Sequence, residues 1–243
     1  MLPYTIVTGV SQGLGEALAA ELLARGGRVL GIGRRSSSSL SGERYAFVPC
    51  DLSDVRVAAP ILASALASVA AVQPDRVCLV NNAATIEPAG VLGVLDVDAI
   101  DRSLALNLAA PAVLADLFCR TFDDDAVERR IINVSSGAAS HPIPGEALYC
   151  IAKAGLEMLT RMLSAEHASP RFRAITLRPG VIDTPMQAYA RSQPPSQLPS
   201  VGMFRGFHSQ GQLVAPHVVA RKVVARLVTG EVDDARTYRY DEL

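Results

Sequence analysis

The stretch YTIVTGVSQGLGEALAAELLARG, Tyr4 to Gly26, runs from β-branched residues through three glycines into an alanine- and leucine-rich helical pattern. Tyr4 to Thr8 reads as a short strand buried on both faces, because apolar residues dominate it without strict alternation. Gly9, Gly13 and Gly15 then fall between that strand and a helix. Glycines there let the chain turn tightly and bring the free N–H groups of the helix N-terminus up to a pyrophosphate. Ser11, Gln12 and Leu14 belong to the same loop and are counted with the glycines as cofactor contacts.

The alternation continues along the chain. RVLGIGRR, YAFVPCD, DRVCLVNNA, RRIINVSS, FRAITLRPG and the closing RTYRYD read as strands. Helical patterns separate them near 58–72, 97–122, 147–163 and 216–227. Strands that are apolar for most of their length and divided by helices require a sheet covered on both faces. The expected fold is therefore α/β: a doubly wound, Rossmann-type, seven-stranded parallel sheet flanked by helices. No break interrupts the rhythm, so residues 1–243 are read as a single domain. One segment departs from it, from Pro185 to Gly211, where Pro, Ser, Gly and Gln replace periodicity. A loop this long after a strand's C-terminal end reads as a lid. Its apolar members Met186, Tyr189, Met203, Phe204 and Phe207 suit an organic substrate. RRSSSSLSGER, beyond its first arginines, and Asp123 to Asp125 read as solvated connections.

Composition narrows the function classes. The chain is 49% hydrophobic with a formal charge of −1, which calls for neither nucleic acid nor an anionic membrane as partner. The N-terminus enters a strand without a basic and apolar leader, and no window holds eighteen uninterrupted apolar residues. A cytoplasmic protein is expected, and the terminal YDEL is read as coincidence. Cys50, Cys78, Cys119 and Cys150 show no C-x-x-C spacing, and the four histidines show no ligand spacing, so no metal is expected.

The second strand identifies the nucleotide. An NAD site wants a carboxylate about 20 residues past the glycine loop to hold the ribose 2′-hydroxyl. Here the chain reads GIGRR: Gly33 leaves room and Arg34 follows, with Arg35 able to share its task. A guanidinium takes a 2′-phosphate through charge-assisted hydrogen bonds, so the expected cofactor is NADP(H). Asp51, with Leu52 beside it, is placed to meet the adenine.

ALYCIAKAGLEMLTRML, Ala147 to Leu163, puts Tyr149 and Lys153 one helical turn apart, on one face at about 5–6 Å. A phenol beside an ammonium is expected to ionise more readily. Together these segments resemble the short-chain dehydrogenase/reductase family over essentially the whole chain. TGVSQGLG is similar to its T-G-x-x-x-G-x-G, NNAA (Asn81 to Ala84) to its N-N-A-G, INVSS to its serine strand, YCIAK to its Y-x-x-x-K, and RPGVIDT to its P-G-x-x-x-T. The resemblance implies Ser136, Tyr149, Lys153 and Asn107 as the catalytic set. Ser136 rather than Ser135 lies at the family's usual spacing, thirteen residues before the tyrosine. It also implies that Asn82, Ala83, Ala84, Pro179, Gly180, Ile182 and Thr184 contact the cofactor. Ala84 replaces the family's glycine, and a positive φ there would cost about 1 kcal/mol.

The chemistry implied is hydride transfer to a carbonyl, with Tyr149 as general acid, Ser136 holding the oxygen and Asn107 completing a proton relay through water. Lys153 is expected to hold the nicotinamide ribose. Together with the oxidised cofactor's charge, it is expected to bring the phenol from near 10 towards 7, which takes about 4 kcal/mol of differential interaction. LRPGVIDTPMQ and the lid resemble the branch containing sepiapterin reductase and the bacterial benzil reductases, which points to a small, neutral or aromatic α-dicarbonyl substrate. A 3-oxoacyl or hydroxysteroid-type reductase is the alternative, and an NADP(H)-sensing protein or a methyltransferase fits less well. By the same resemblance, the helices carrying Asn107 and Tyr149 are expected to pair in a homodimer or homotetramer.

Overall fold

A computed structural model describes residues 2–243. The strands are β1 (Tyr4–Thr8), β2 (Arg28–Gly33), β3 (Tyr45–Pro49), β4 (Arg76–Asn81), β5 (Glu128–Val134), β6 (Phe172–Arg178) and β7 (Thr237–Arg239). They form one parallel sheet in the order β3-β2-β1-β4-β5-β6-β7. The order reverses beside β1, between β1 and β4, where an open α/β sheet leaves a crevice at the strands' C-terminal ends. This is the doubly wound, Rossmann-type arrangement expected from the alternation.

Helices α1 (Gly13–Ala24), α2 (Val55–Ala70), α3 (Val97–Leu104), α4 (Ala110–Thr121), α5 (Ala147–Glu166), α6 (Pro185–Ser192), α7 (Val201–Ser209) and α8 (Pro216–Val223) complete the fold. Strand alternation sends adjacent side chains to opposite faces of the sheet. Val7 packs with Leu18 and Leu22 of α1 and Val219 and Val223 of α8, whereas Ile6 packs with Leu62 and Leu66 of α2 and Leu114 and Phe118 of α4. Burying both faces is what made these strands read as continuous apolar runs.

The long apolar pattern at 97–122 is one continuous helical run in which Ala105–Ala109 form a π-turn between α3 and α4. By length and composition alone, Val97–Thr121 is enough to cross a membrane. Here Leu114, Ala115 and Phe118 of that run are buried against the sheet. The segment from Pro185 to Gly211, expected as an irregular loop, contains α6 and α7. Thr184 caps α6 by accepting from the Gln187 N–H at 3.4 Å, and Pro185 occupies the first turn. Proline, serine and glycine hide the periodicity of such short helices, but the Thr-Pro start was legible. The serine run after β2 is also tied down, since Ser37 and Ser39 both donate to Glu16 of α1.

Candidate active site

A cleft of about 1300 Å³ opens along the C-terminal ends of the strands, from the glycine loop to the lid. That is room for a dinucleotide and a small substrate together, since single drug-sized ligands take about 300–1,000 Å³.

The cofactor half is built around Gly9, whose φ of +74° lets the chain leave β1 sharply. Its N–H donates to Ile32 O at 2.8 Å, fixing the loop against the end of β2. Gly15 serves packing: a Cβ there would stand 2.2 Å from Gly9 O and 2.4 Å from Asn82 Nδ2. Gly15 accordingly lies beneath the cleft, while Gly9, Ser11, Gln12, Gly13 and Leu14 line it. Gln12 precedes α1 without capping it through its side chain, so the helix's first N–H groups keep their donor capacity for an anion. Arg34, Arg35, Asp51 and Leu52 line the far end. Asp51 accepts from the Ser53 N–H at 2.9 Å and the Ser53 hydroxyl at 2.7 Å, and these bonds, the backbone one foremost, lower its pKa. A Cβ at Gly33 would meet only ordinary contacts, the nearest at 3.8 Å, so the space beside Arg34 is open. These features fit a dinucleotide carrying an extra phosphate on its ribose.

Asn82, Ala83 and Ala84 line the middle of the cleft. Thr8 Oγ1 accepts from the N–H groups of Asn82 and Ala83, both at 2.9 Å, and Asn82 Nδ2 donates back to Thr8 O at 2.9 Å. The Asn82 amide thereby locks the segment to the glycine loop. Ala84 does not adopt a positive φ, a conformation found outside glycine only at Gln73 and Ala235 among the described residues. The strain that an alanine would suffer there does not arise.

Ser136, Tyr149 and Lys153 meet where β5 ends and α5 begins. All three line the cleft, with the Ser136 hydroxyl near enough to the Tyr149 phenol to favour its ionised form, and Lys153 Nζ stands 5.3 Å from the Tyr149 ring centroid while donating to Val134 O at 2.7 Å. Ser135 points the other way, donating to Glu157 Oε1 at 2.9 Å. Glu157 is held in turn by Arg178 Nε at 2.7 Å and Nη2 at 2.9 Å.

In the protein without cofactor, burial dominates the electrostatics of this group. Burial pushes the Tyr149 phenol well above its usual value, the charge of Glu146 adds to this, and the Ser136 hydrogen bond opposes it. Lys153, 2% exposed, is itself lowered to about 8, because its ammonium has also lost water. Desolvation outweighs the attraction of phenolate for ammonium, so in the protein by itself Tyr149 is held as the neutral phenol.

Asn107 does not reach the cleft wall. It lies in the π-turn, fully buried, where its Oδ1 accepts from the Thr85 N–H at 2.9 Å and its Nδ2 donates to Thr85 O at 2.8 Å. Its side chain clamps the segment after β4 to the π-turn. The π-turn is a local insertion that helical spacing alone does not reveal.

Pro179, Gly180, Ile182 and Thr184 line the cleft past β6, and Met186, Tyr189, Met203, Phe204 and Phe207 line it from the lid. Tyr149, Met186, Tyr189 and Phe204 pack around a small core of Ile86, Ala190, Leu198 and Val201. Arg191 and Arg205 are spent within the lid, on Gln187 Oε1 at 3.1 Å and on the Arg191 and Gln193 carbonyls at 3.1 and 3.2 Å. Two residues that the sequence reading passed over also line the cleft, the buried Glu146 and Gln187. Glu146 stands just before a helix that carries Tyr149 three residues on, and that spacing was its one visible signal. No group of three or more histidine, cysteine or acidic side chains able to hold a metal occurs among the described residues.

Comparison with known proteins agrees with this architecture. The short chain dehydrogenase family model matches residues 4–195. The chain is 32% identical to benzil reductase ((S)-benzoin forming) of Bacillus cereus, covering 98% of this chain and 99% of that one. It is 34% identical to sepiapterin reductase of Meriones unguiculatus, over 90% of this chain and 88% of the relative. It superimposes on a short chain dehydrogenase from Burkholderia cenocepacia, solved in complex with NADP, with a TM-score of 0.77 and 25% identity over 99% and 96% of the two chains. With the parallel sheet, the glycine loop at its switch point and a family match over most of its length, this chain belongs to the short-chain dehydrogenase/reductase family.

Proposed function

We propose that this chain is an NADPH-dependent reductase that converts a ketone or α-dicarbonyl group of a small, neutral or aromatic substrate to the alcohol. The observation that carries it is the convergence of Ser136, Tyr149 and Lys153 on one wall of a cleft large enough for a dinucleotide and closed by an aromatic lid. The likeness to benzil and sepiapterin reductases supports the substrate class, and the relative solved with NADP supports the nucleotide.

NADPH, when bound, supplies the hydride. The glycine loop and the N-terminus of α1 hold its pyrophosphate, Arg34 and Arg35 hold the 2′-phosphate, and residues 179–184 hold the nicotinamide end. Tyr149 gives its phenolic proton to the carbonyl oxygen, and Ser136 steadies that oxygen with a second hydrogen bond. Burial keeps the phenol protonated beforehand, which is the form a general acid needs. Lys153 has a pKa of about 8 and is mostly cationic at neutral pH, so it stabilises the phenolate left behind. One of its three N–H donors goes to Val134 O, which leaves two for the ribose hydroxyls. Asn107 acts by positioning, through Thr85.

Exposed Ile151, Met158 and Met162 along α5 support pairing of two copies through this helix, in a homodimer or homotetramer. The test is NADPH or NADH oxidation at 340 nm with benzil, sepiapterin and an acetoacetyl thioester. Diketone turnover with NADPH that falls by about 10²–10⁴ in Tyr149→Phe is expected. Preference for the thioester would move the chain to the 3-oxoacyl class, and tight NADPH binding with no turnover would make it a sensor.

A further inference from the structure

Glu146 is the N-cap residue of α5, yet its carboxylate does not cap the helix. The residue is 3% exposed, lines the cleft, and has an Oε1 with no hydrogen-bond partner among the described residues. A buried acceptor left in this way bears a desolvation cost that no protein donor returns. Gln187, on α6, is 7% exposed and lines the same cleft. Its Oε1 accepts from Arg191 Nη1 at 3.1 Å. An arginine can only donate, so this bond fixes which end of the amide is oxygen. The other end, Nε2, is buried and has no partner among the described residues. Two residues that each hold a buried, unanswered polar atom, an acceptor on Glu146 at the head of the Tyr149 helix and a donor on Gln187 of the lid, therefore line one cleft.

We propose that Glu146 and Gln187 form a polar recognition subsite, in which Glu146 accepts a hydrogen bond from a substrate N–H and Gln187 donates one to a substrate oxygen. This rests on the reductase reading and sharpens it: the substrate is a carbonyl compound that carries an amide-like donor–acceptor pair, not a wholly apolar diketone. Burial pushes the Glu146 carboxyl up to about 7, so at neutral pH the subsite holds only part of a charge and suits a neutral amide better than a cation. A site built to pair a donor rejects the analogue lacking it, because its own buried groups are then left unpaired.

The matched probes are isatin, which presents a ring N–H beside a carbonyl and a reducible ketone, and N-methylisatin, which lacks that donor. With NADPH, kcat/KM is expected to favour isatin by ten-fold or more. Glu146→Met, which keeps the length and removes both oxygens, should bring the two substrates within two-fold of each other. Glu146→Gln, which keeps an acceptor, should hold the ratio above five-fold. Gln187→Leu should raise KM for isatin at least five-fold with kcat within two-fold. Equal turnover of the two probes by the wild type overturns the subsite and leaves the reductase reading standing. A preference that survives in Glu146→Met is steric and overturns it too. Absence of NADPH-dependent turnover with either probe and with benzil overturns the reductase reading and the subsite with it.

Discussion

Replacing Glu146 by glutamine should stabilise the cofactor-free protein, by an amount that grows with pH. Burial raises this carboxyl from 4.5 to about 7. Between those values the native state binds a proton that the unfolded chain has released, so stability is undiminished below about pH 4.5 and is lost as pH rises through 7. The full difference corresponds to about 3 kcal/mol. Glutamine has nearly the same shape and does not titrate. The variant should therefore be close to wild type in stability near pH 5 and ahead of it by a further 2–3 kcal/mol, roughly, at pH 8. Lys153 and Tyr149 titrate in both proteins and cancel in the comparison to first order. The assay is urea unfolding followed by circular dichroism at pH 5, 6, 7 and 8, where a slope of about 2 kcal/mol per molar urea turns the predicted gap into roughly 1 M of midpoint. A gap between variant and wild type that stays constant from pH 5 to 8 would refute the reasoning, because a group with no perturbed titration cannot couple folding to protons.

Three further outcomes follow from the same geometry. Ser136→Ala should lower kcat by about 10²–10³, whereas Ser135→Ala, which removes a hydrogen bond to the Glu157 carboxylate, should keep turnover and cost about 2 kcal/mol in urea unfolding. Equal kinetic damage from the two would mean that the serine assignment is wrong. Arg34→Ala should weaken NADPH by roughly ten- to a hundred-fold with little change for NADH, measured as KM for each nucleotide; parallel losses would deny it the 2′-phosphate. Gly15→Ala drives a methyl to 2.2 Å from Gly9 O, so the loop must shift, and both the melting temperature and NADPH affinity should fall by the equivalent of about 1–3 kcal/mol. An unchanged melting curve would show that the loop gives way freely.

Much of this molecule was legible in its residue order. Tyr4 to Gly26 already holds a strand, a glycine turn and a helix, and the unbroken alternation after it leads to a parallel sheet covered on both faces, as found. Tyr149 and Lys153 were placed on one helix face by spacing alone, because that proximity is a local property of the backbone. The lid was half legible: its position after a strand end was, but α6 and α7 were not, because eight- and nine-residue helices interrupted by proline and glycine leave little period to detect.

What tertiary structure decided was mostly a matter of solvent and of partners distant in sequence. Water lost around Tyr149 and Lys153 raises the phenol's pKa in the protein without cofactor, since desolvation depends on every element packed over a site rather than on the neighbour one turn away. The Asn107 amide was committed to the Thr85 backbone by the π-turn that carries it, and Arg191 and Arg205 were consumed by the lid's own carbonyls and amide. The residue types and their order determined the sheet, the glycine loop and the Tyr149–Lys153 pair, because each rests on local geometry, whereas Ser136 was identified through the family resemblance. Which polar groups remain unpaired in the cleft, Glu146 and Gln187 above all, was settled only by which donors and acceptors the folded chain brings within reach of each other.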